Sequence, residues 1–252
     1  MPKKIVTNFT EKELAQQLEK IGLERYRAGQ IFRWIYKKGI FDFEKMTDIP
    51  KEKVNLLKES FEILNLSLIG TKISSDKTIK LLIKLSDGYC IESVLLKDQS
   101  PGRFTACISS QVGCALGCKF CLSGKFMFKR NLAPSEMVGQ LVVMRFLKKQ
   151  GVDTINNIVF MGMGEPLLNY DNVLKTIDIV SSENSFNIGS RKITISTSGI
   201  VPGIGLLAKE GKQLRLSVSL HSPKQEIREK IMPISAKYPL KEVMSAIKEY
   251  NL

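Results

Sequence analysis

Histidine is nearly missing from this chain: one residue, His221, in 252. Tryptophan is as scarce, with Trp34 alone. A zinc site wants four ligands, commonly as separated pairs of cysteine or histidine, and the sequence holds one C-x2-C pair with its single imidazole a hundred residues further on. No apolar run approaches the roughly 18 residues that a membrane span needs, and the start, Met1-Pro2-Lys3-Lys4-Ile5-Val6-Thr7, has no signal-peptide core. The expected location is the cytoplasm, where thiols stay reduced and disulfides are rare. Acidic side chains are in deficit, 25 against 38 lysines and arginines, for a net charge of +13. That excess suits a polyanionic partner, nucleic acid being the economical choice, or a solvated lysine-rich face. Hydrophobic residues make up 43% of the chain, enough for a sizeable core.

Cysteine is where the sequence concentrates. Cys107, Cys114, Cys118 and Cys121 fall within fifteen residues, the last three spaced C-x3-C-x2-C. Three thiolates on one short loop can hold three irons of a 4Fe-4S cube and leave the fourth iron open to a small molecule. The fifth cysteine, Cys90, sits in an apolar stretch and reads as a small buried core residue. Glu92, the acidic residue of the same stretch, reads as facing solvent.

Three regions follow along the chain. Residues 1–63 predict a helical module: Thr10 and Glu13 form a capping box, Leu14, Leu18 and Ile21 an apolar stripe, and Gly22 a stop. A second helix over 27–38 carries Ile31, Trp34 and Ile35 and ends at Gly39, and a third over 51–63 carries Val54, Leu57 and Phe61. Trp34 reads as core rather than a base-stacking platform. Lys20, Arg25, Arg27, Arg33, Lys37 and Lys38 accompany these helices and suit either a phosphate backbone or solvent. Residues 64–98 predict a short β connector, with 77–85 and 89–96 joined as a hairpin across Ser86-Asp87-Gly88. Residues 99–252 alternate strands (104–109, 156–161, 192–197, 215–220) with helices (135–149, 170–182, 202–209, 240–250), the pattern of an α/β protein with parallel strands. The fourth of these strands would be an exposed edge unless something covers it.

A second chemical signal ends the second of these strands, as Met161-Gly162-Met163-Gly164-Glu165-Pro166. Ligands of parallel α/β sheets bind at the carboxyl ends of strands, where glycine lets backbone approach closely and Glu165 could accept hydrogen bonds from an ammonium group. The next two strand ends, Ser196-Thr197-Ser198-Gly199 and Ser219-Leu220-His221-Ser222, add hydroxyls and the imidazole at the same edge. Taken singly, Gly-Glu-Pro is a common turn and a lone histidine is more often structural.

The cysteine loop, with Phe120 before its last cysteine, and Gly164-Glu165-Pro166 resemble the two signatures of radical S-adenosylmethionine enzymes. More narrowly, Ser109-Ser110-Gln111-Val112-Gly113-Cys114, Met161 through Asn169, and Ser219-Leu220-His221 resemble the ribosomal RNA adenine-C2 methyltransferases, which also modify transfer RNA, over essentially the whole chain. The resemblance implies a partial radical-SAM βα barrel carrying the helical module and the β connector. It implies a 4Fe-4S cluster on Cys114, Cys118 and Cys121, and S-adenosylmethionine held by Gly164, Glu165, Ser196, Ser219, Leu220 and His221. It gives Glu92 a part in removing a proton and Cys107 the part of resolving a protein–RNA adduct through a transient disulfide. The implied partners are 23S rRNA, transfer RNA and an electron donor such as flavodoxin. Lys119, Lys125, Lys129 and Arg130, interleaved with Phe126 and Phe128, could help splay a base out of folded RNA, or form a solvated loop. The family's methyl-carrying cysteine lies near its C-terminus, and none of the five cysteines here fits that part, nor are the last two of the family's six βα units accounted for. The expectation is a shortened member that binds the cluster without completing methylation by itself. Two rival readings stand beside it: methylation at adenine C8 by a relative of the same superfamily, and a non-catalytic RNA-binding protein whose cysteines hold zinc.

Overall fold

In the computed structural model, which describes residues 2–98, 100, 102–147 and 154–250, the first helix starts as its sequence predicts. The Thr10 hydroxyl accepts the Glu13 N–H at 3.2 Å while the Glu13 carboxylate accepts the Thr10 N–H at 2.8 Å, and α1 (Glu11–Glu19) follows. The second helix runs as α2 (Arg27–Phe32) into a π-helical turn over Arg33–Lys38 and stops at Gly39, whose φ of +73° only glycine adopts freely. The third, α3 (Lys51–Ser60), is shorter than the predicted 51–63, because Phe61–Glu62 leaves the helix as strand β2 and pairs in parallel with β1 (Lys4–Ile5). Leu14, Leu18, Ile31, Ile35 and Leu57 are buried between these helices. Trp34 belongs to that core, its indole N–H donating to Asp48 and Lys38 lying over its ring. Arg25 and Arg27 are spent on Glu19 and Glu24.

The remaining strands are β3 (Ser67–Ile73), β4 (Ile79–Lys84), β5 (Cys90–Lys97), β6 (Arg103–Cys107), the short β7 (Gln111–Val112) and β8 (Arg130–Asn131), β9 (Thr154–Phe160), β10 (Ile193–Thr197) and β11 (Arg215–Val218). One sheet has the order β11-β10-β9-β6-β5-β4-β3, with β6, β9, β10 and β11 parallel and β3, β4 and β5 antiparallel. The predicted hairpin thus continues the sheet, through β5 paired with β6 at Val94↔Cys107. Helices α4 (Pro134–Arg145), α5 (Tyr170–Ser181), α6 (Val201–Lys209), α7 (Gln225–Ile231) and α8 (Leu240–Tyr250) accompany the parallel strands. Residues 148–149 of the predicted 135–149 helix lie outside the described residues. β11 is the sheet's edge, as expected. No helix among the described residues is long and apolar enough to cross a membrane.

Strand alternation decides which residues reach the site. On β5, Ile91, Ser93 and Leu95 are buried, which turns Cys90, Glu92 and Val94 to the other face. Cys90 is therefore exposed, contrary to the core position expected: a period-2 pattern cannot bury both Cys90 and Ile91 on a strand with one covered face.

Candidate cofactor cleft and adjoining pocket

Four parallel strands deliver their carboxyl ends to one edge, and the chain does something different after each. After β6 it builds the cysteine loop. After β9 it makes the Gly162–Glu165 turn, and after β10 and β11 the two serine turns. Between them lies a cleft of about 310 Å³ lined by Cys114, Cys118, Cys121, Gly164, Glu165, Ser196, Ser219 and His221. Of the sequence-predicted cofactor residues only Leu220 stays out of the lining; its side chain is exposed and its carbonyl is the part that works.

The β9 turn is held tightly. Gly164 has φ of +100°, and a Cβ there would fall 2.5 Å from the Cβ of Gln111, so the turn requires glycine. Glu165 is 2% exposed. Its N–H donates to Gln111 Oε1 at 2.9 Å, and its carboxylate accepts the N–H groups of Leu167 at 3.2 Å and Ser198 at 2.8 Å. Burial pushes its carboxyl above the usual range, and those backbone donors oppose the shift. A carboxylate with this many donors still has lone pairs free for a ligand ammonium.

All five cysteines are free. Burial raises the thiol of Cys118 to about 11, with the neighbouring cysteines and Glu165 adding to it, and raises Cys114 as well. Metal binding must therefore displace protons. Among the described residues no three histidine, cysteine or acidic side chains converge as ligands of a single metal ion do. A cube does not ask for that, since each thiolate binds its own iron. Three thiols facing a cleft that also holds a buried carboxylate fit such a cluster with one iron left for a ligand.

The far wall is strained. His221 has φ of +55°, a left-handed conformation that costs a non-glycine residue about 1–3 kcal/mol. Ser222 N–H donates across it to the Leu220 carbonyl at 2.6 Å, and the imidazole lies against Phe120, centroids 3.9 Å apart.

Five side chains hold this edge together, Ser109, Gln111 and Asn169 from the motifs quoted above and Gln140 and Arg228 without any mark in the sequence. Gln140, fully buried on α4, accepts the Ser109 N–H at 2.7 Å and the Ser93 hydroxyl at 2.6 Å. Ser109 in turn accepts the Met163 N–H at 2.8 Å and donates to the Glu92 carbonyl at 2.6 Å. Asn169 donates to the carbonyls of Ser110 and Leu132, and Gln111 to Asn131. Arg228, on α7, is fully buried and donates to three carbonyls of the serine turns. An arginine or glutamine in a helical segment gives no sequence sign of being turned inward.

A larger, more apolar pocket of about 570 Å³ adjoins the cleft, with Ser123 in the wall of both. Glu92, Tyr89, Cys90, Lys125, Phe126 and Lys129 line it. Glu92 is half exposed and 2.8 Å from Lys80. Cys107 lies diagonally across from Glu92 on the neighbouring strand and the same face, its thiol raised by burial. Of the basic and aromatic residues expected to meet RNA, Lys119, Phe128 and Arg130 do not line this pocket. Arg130 is engaged elsewhere, gripping both Glu136 oxygens at 2.8 Å and Asp87 at 2.7 Å.

A parallel βα barrel segment with a C-x3-C-x2-C loop and a Gly-Glu-Pro turn meeting at its carboxyl edge defines a radical S-adenosylmethionine enzyme, and residues 108–252 match the radical SAM superfamily. Residues 6–63 match the ribosomal RNA large subunit methyltransferase N-terminal domain. The chain is 46% identical over 247 residues to the probable dual-specificity RNA methyltransferase RlmN of Pseudothermotoga lettingae, covering 98% of this chain and 71% of that protein. To the RlmN of Aquifex aeolicus it is 43% identical, with 98% and 70% covered. A crystal structure of a radical SAM methyltransferase from Sphaerobacter thermophilus matches with a TM-score of 0.92 at 40% identity, covering 98% of this chain and 72% of that one. The chain belongs to the RlmN family of radical SAM RNA methyltransferases. Membership brings a 4Fe-4S cluster and S-adenosylmethionine as its cofactors.

Proposed function

We propose that this chain carries the radical chemistry of methylation at C2 of adenine in 23S rRNA and transfer RNA, in the cytoplasm, with a flavodoxin-like electron donor. The observation that supports this reading best is the shared wall at Ser123: the cleft with the three cysteines adjoins the pocket that holds Glu92. Adenine C2 is not nucleophilic, so ordinary methyl transfer fails there and the cofactors must supply the reactivity.

Cys114, Cys118 and Cys121 would hold the cluster. Gly164, Glu165, Ser196, Ser219, Leu220 and His221 would hold S-adenosylmethionine, with the Glu165 carboxylate as acceptor for its amino group. When bound, the two cofactors supply a 5'-deoxyadenosyl radical that activates a methyl group carried on a cysteine. Lys125 and Lys129 would meet phosphates flanking the target base, and Phe126 and Tyr89 would offer it apolar faces. Glu92 would take the proton from C2. Cys107 would release the RNA by attacking the carrier sulfur: the carrier's S–C bond breaks, its electron pair stays with the departing carbon, which takes up a proton, and a transient disulfide is left on the protein. The carrier part is assigned to none of the five cysteines: three hold the cluster, Cys107 resolves, and Cys90 sits on β5 with its thiol on the pocket wall.

The test is anaerobic incubation of the reconstituted chain with reductant, S-adenosylmethionine and 23S rRNA, read by mass spectrometry. The expected products are 5'-deoxyadenosine without methylated adenine from this chain, and 2-methyladenosine once it is fused to the part of the Pseudothermotoga lettingae relative that it does not cover. Methylated adenine from the unfused chain would overturn the carrier assignment, and 8-methyladenosine from the fusion would overturn the C2 assignment.

A further inference from the structure

Among the described residues Arg228 is the largest fully buried side chain, and it has no carboxylate partner there. A buried guanidinium is costly unless its donors are used, and here all those used go to one place. Nη1 donates to the carbonyls of Ser219 at 3.2 Å and Leu220 at 2.8 Å, and Nη2 to the carbonyl of Ser198 at 3.3 Å, while Nε is left without a partner. These three carbonyls belong to the turns after β10 and β11. Through Ser198, whose N–H binds Glu165, the contact extends to the Gly-Glu-Pro turn. The Leu220 carbonyl is also the acceptor of the tight turn across His221, so Arg228 grips the base of the strained residue.

We propose that Arg228 is a positioning residue for S-adenosylmethionine: its guanidinium fork pins the left-handed turn at His221, which keeps the imidazole against Phe120 and the cofactor cleft closed on that side. Three observations carry it. The arginine is buried and uncompensated by an anion, so its retention there is not explained by ion pairing. Its carbonyl partners span two strand ends that have no other side-chain clamp between them among the described residues. The residue it supports is a non-glycine at positive φ, a conformation that persists only where the surroundings impose it. The inference rests on the reading of this cleft as the S-adenosylmethionine site.

Because His221 is the single histidine of the sequence, its imidazole gives a single Hε1 resonance in the cofactor-free protein. The Phe120 ring, tilted 42° to the imidazole, shifts that resonance by its ring current, and Phe120→Leu reports the position without it. Arg228→Lys keeps the charge and loses the fork. It is expected to move the His221 resonance toward the Phe120→Leu position and to weaken S-adenosylmethionine binding to the reconstituted protein about tenfold by equilibrium dialysis, the size of one lost charge-assisted hydrogen bond. In a His221→Gly background, where glycine adopts the turn without strain, Arg228→Lys should change binding less than about twofold. Should Arg228→Lys fail to fold, the Arg228→Lys, His221→Gly double variant should fold. A lowered melting temperature with the His221 resonance and cofactor affinity unmoved would make Arg228 merely structural and overturn the proposal, as would a double variant that also fails to fold. Wild-type protein that binds no S-adenosylmethionine would overturn the cofactor reading instead, and the His221 resonance would still judge Arg228.

Discussion

The carboxylate of Glu165 accepts the N–H of Ser198 at 2.8 Å, fastening the turn after β9 to the turn after β10. The bond joins the Gly-Glu-Pro motif to a serine turn that sequence alone marks only as polar. It also means that the same buried carboxylate serves the fold before it serves a ligand.

A pH dependence follows. Burial raises the Glu165 carboxyl above its ordinary 4.5 in the native state, so the native protein binds that proton more tightly than the unfolded chain. The stability this group contributes is full below its unfolded value and is lost as pH rises through its folded value. Glu165→Gln cannot titrate. The melting temperature of wild type relative to Glu165→Gln, both cofactor-free, should fall as pH is raised from roughly 4 to 7. A difference that stays flat would show that the backbone donors cancel the burial.

Arg130 and the lysines beside it should separate cleanly. Arg130→Met strips the cation from Glu136, whose side chain is 8% exposed, and should cost about 2–4 kcal/mol in urea denaturation. The salt dependence of RNA binding by the folded variant should not change. Lys125→Ala and Lys129→Ala should each shift stability by less than about 0.5 kcal/mol and reduce the slope of log affinity against log salt by about 1.

Two glycines at positive φ give a matched pair. Gly22→Ala meets nothing within 4 Å and should cost only the backbone strain, about 1–2 kcal/mol. Gly164→Ala adds the overlap with Gln111, so its loss of stability should exceed that of Gly22→Ala, and it should abolish the response of the cleft to S-adenosylmethionine. Equal costs at the two positions would mean that Gln111 yields easily.

Much of this architecture is legible in the sequence because local signals and tertiary structure agree. The capping box at Thr10, the stop at Gly39 and the four parallel strands all lie where periodicity puts them. Cysteine spacing brings three thiols to the cleft, since the eight residues from Cys114 to Cys121 form one short loop. What sequence does not carry is facing. Cys90 was expected inside and lies outside, because burial on β5 is decided by which phase of the alternation meets the helices. Phe61 leaves the helix and pairs with Lys4 of β1, a partner 57 residues away that no local pattern shows. Gln140 and Arg228 are invisible for the opposite reason: polar side chains in helical segments are read as exposed, and only packing shows them turned inward. For Arg130 the sequence leaves an RNA contact and a solvated loop open, and the structure pairs it with Asp87 and Glu136, 43 and 6 residues away.

Metal content and spectroscopy test the cleft most directly. The full chain, reconstituted anaerobically with iron and sulfide, should hold about four irons and four sulfides, and the spectrum of the reduced cluster should change when S-adenosylmethionine is added. Cys107→Ala should retain that cluster, while alanine at Cys114, Cys118 or Cys121 should lose it. One zinc per chain with no sulfide, or a cluster that ignores the cofactor, would contradict the assignment of this cleft.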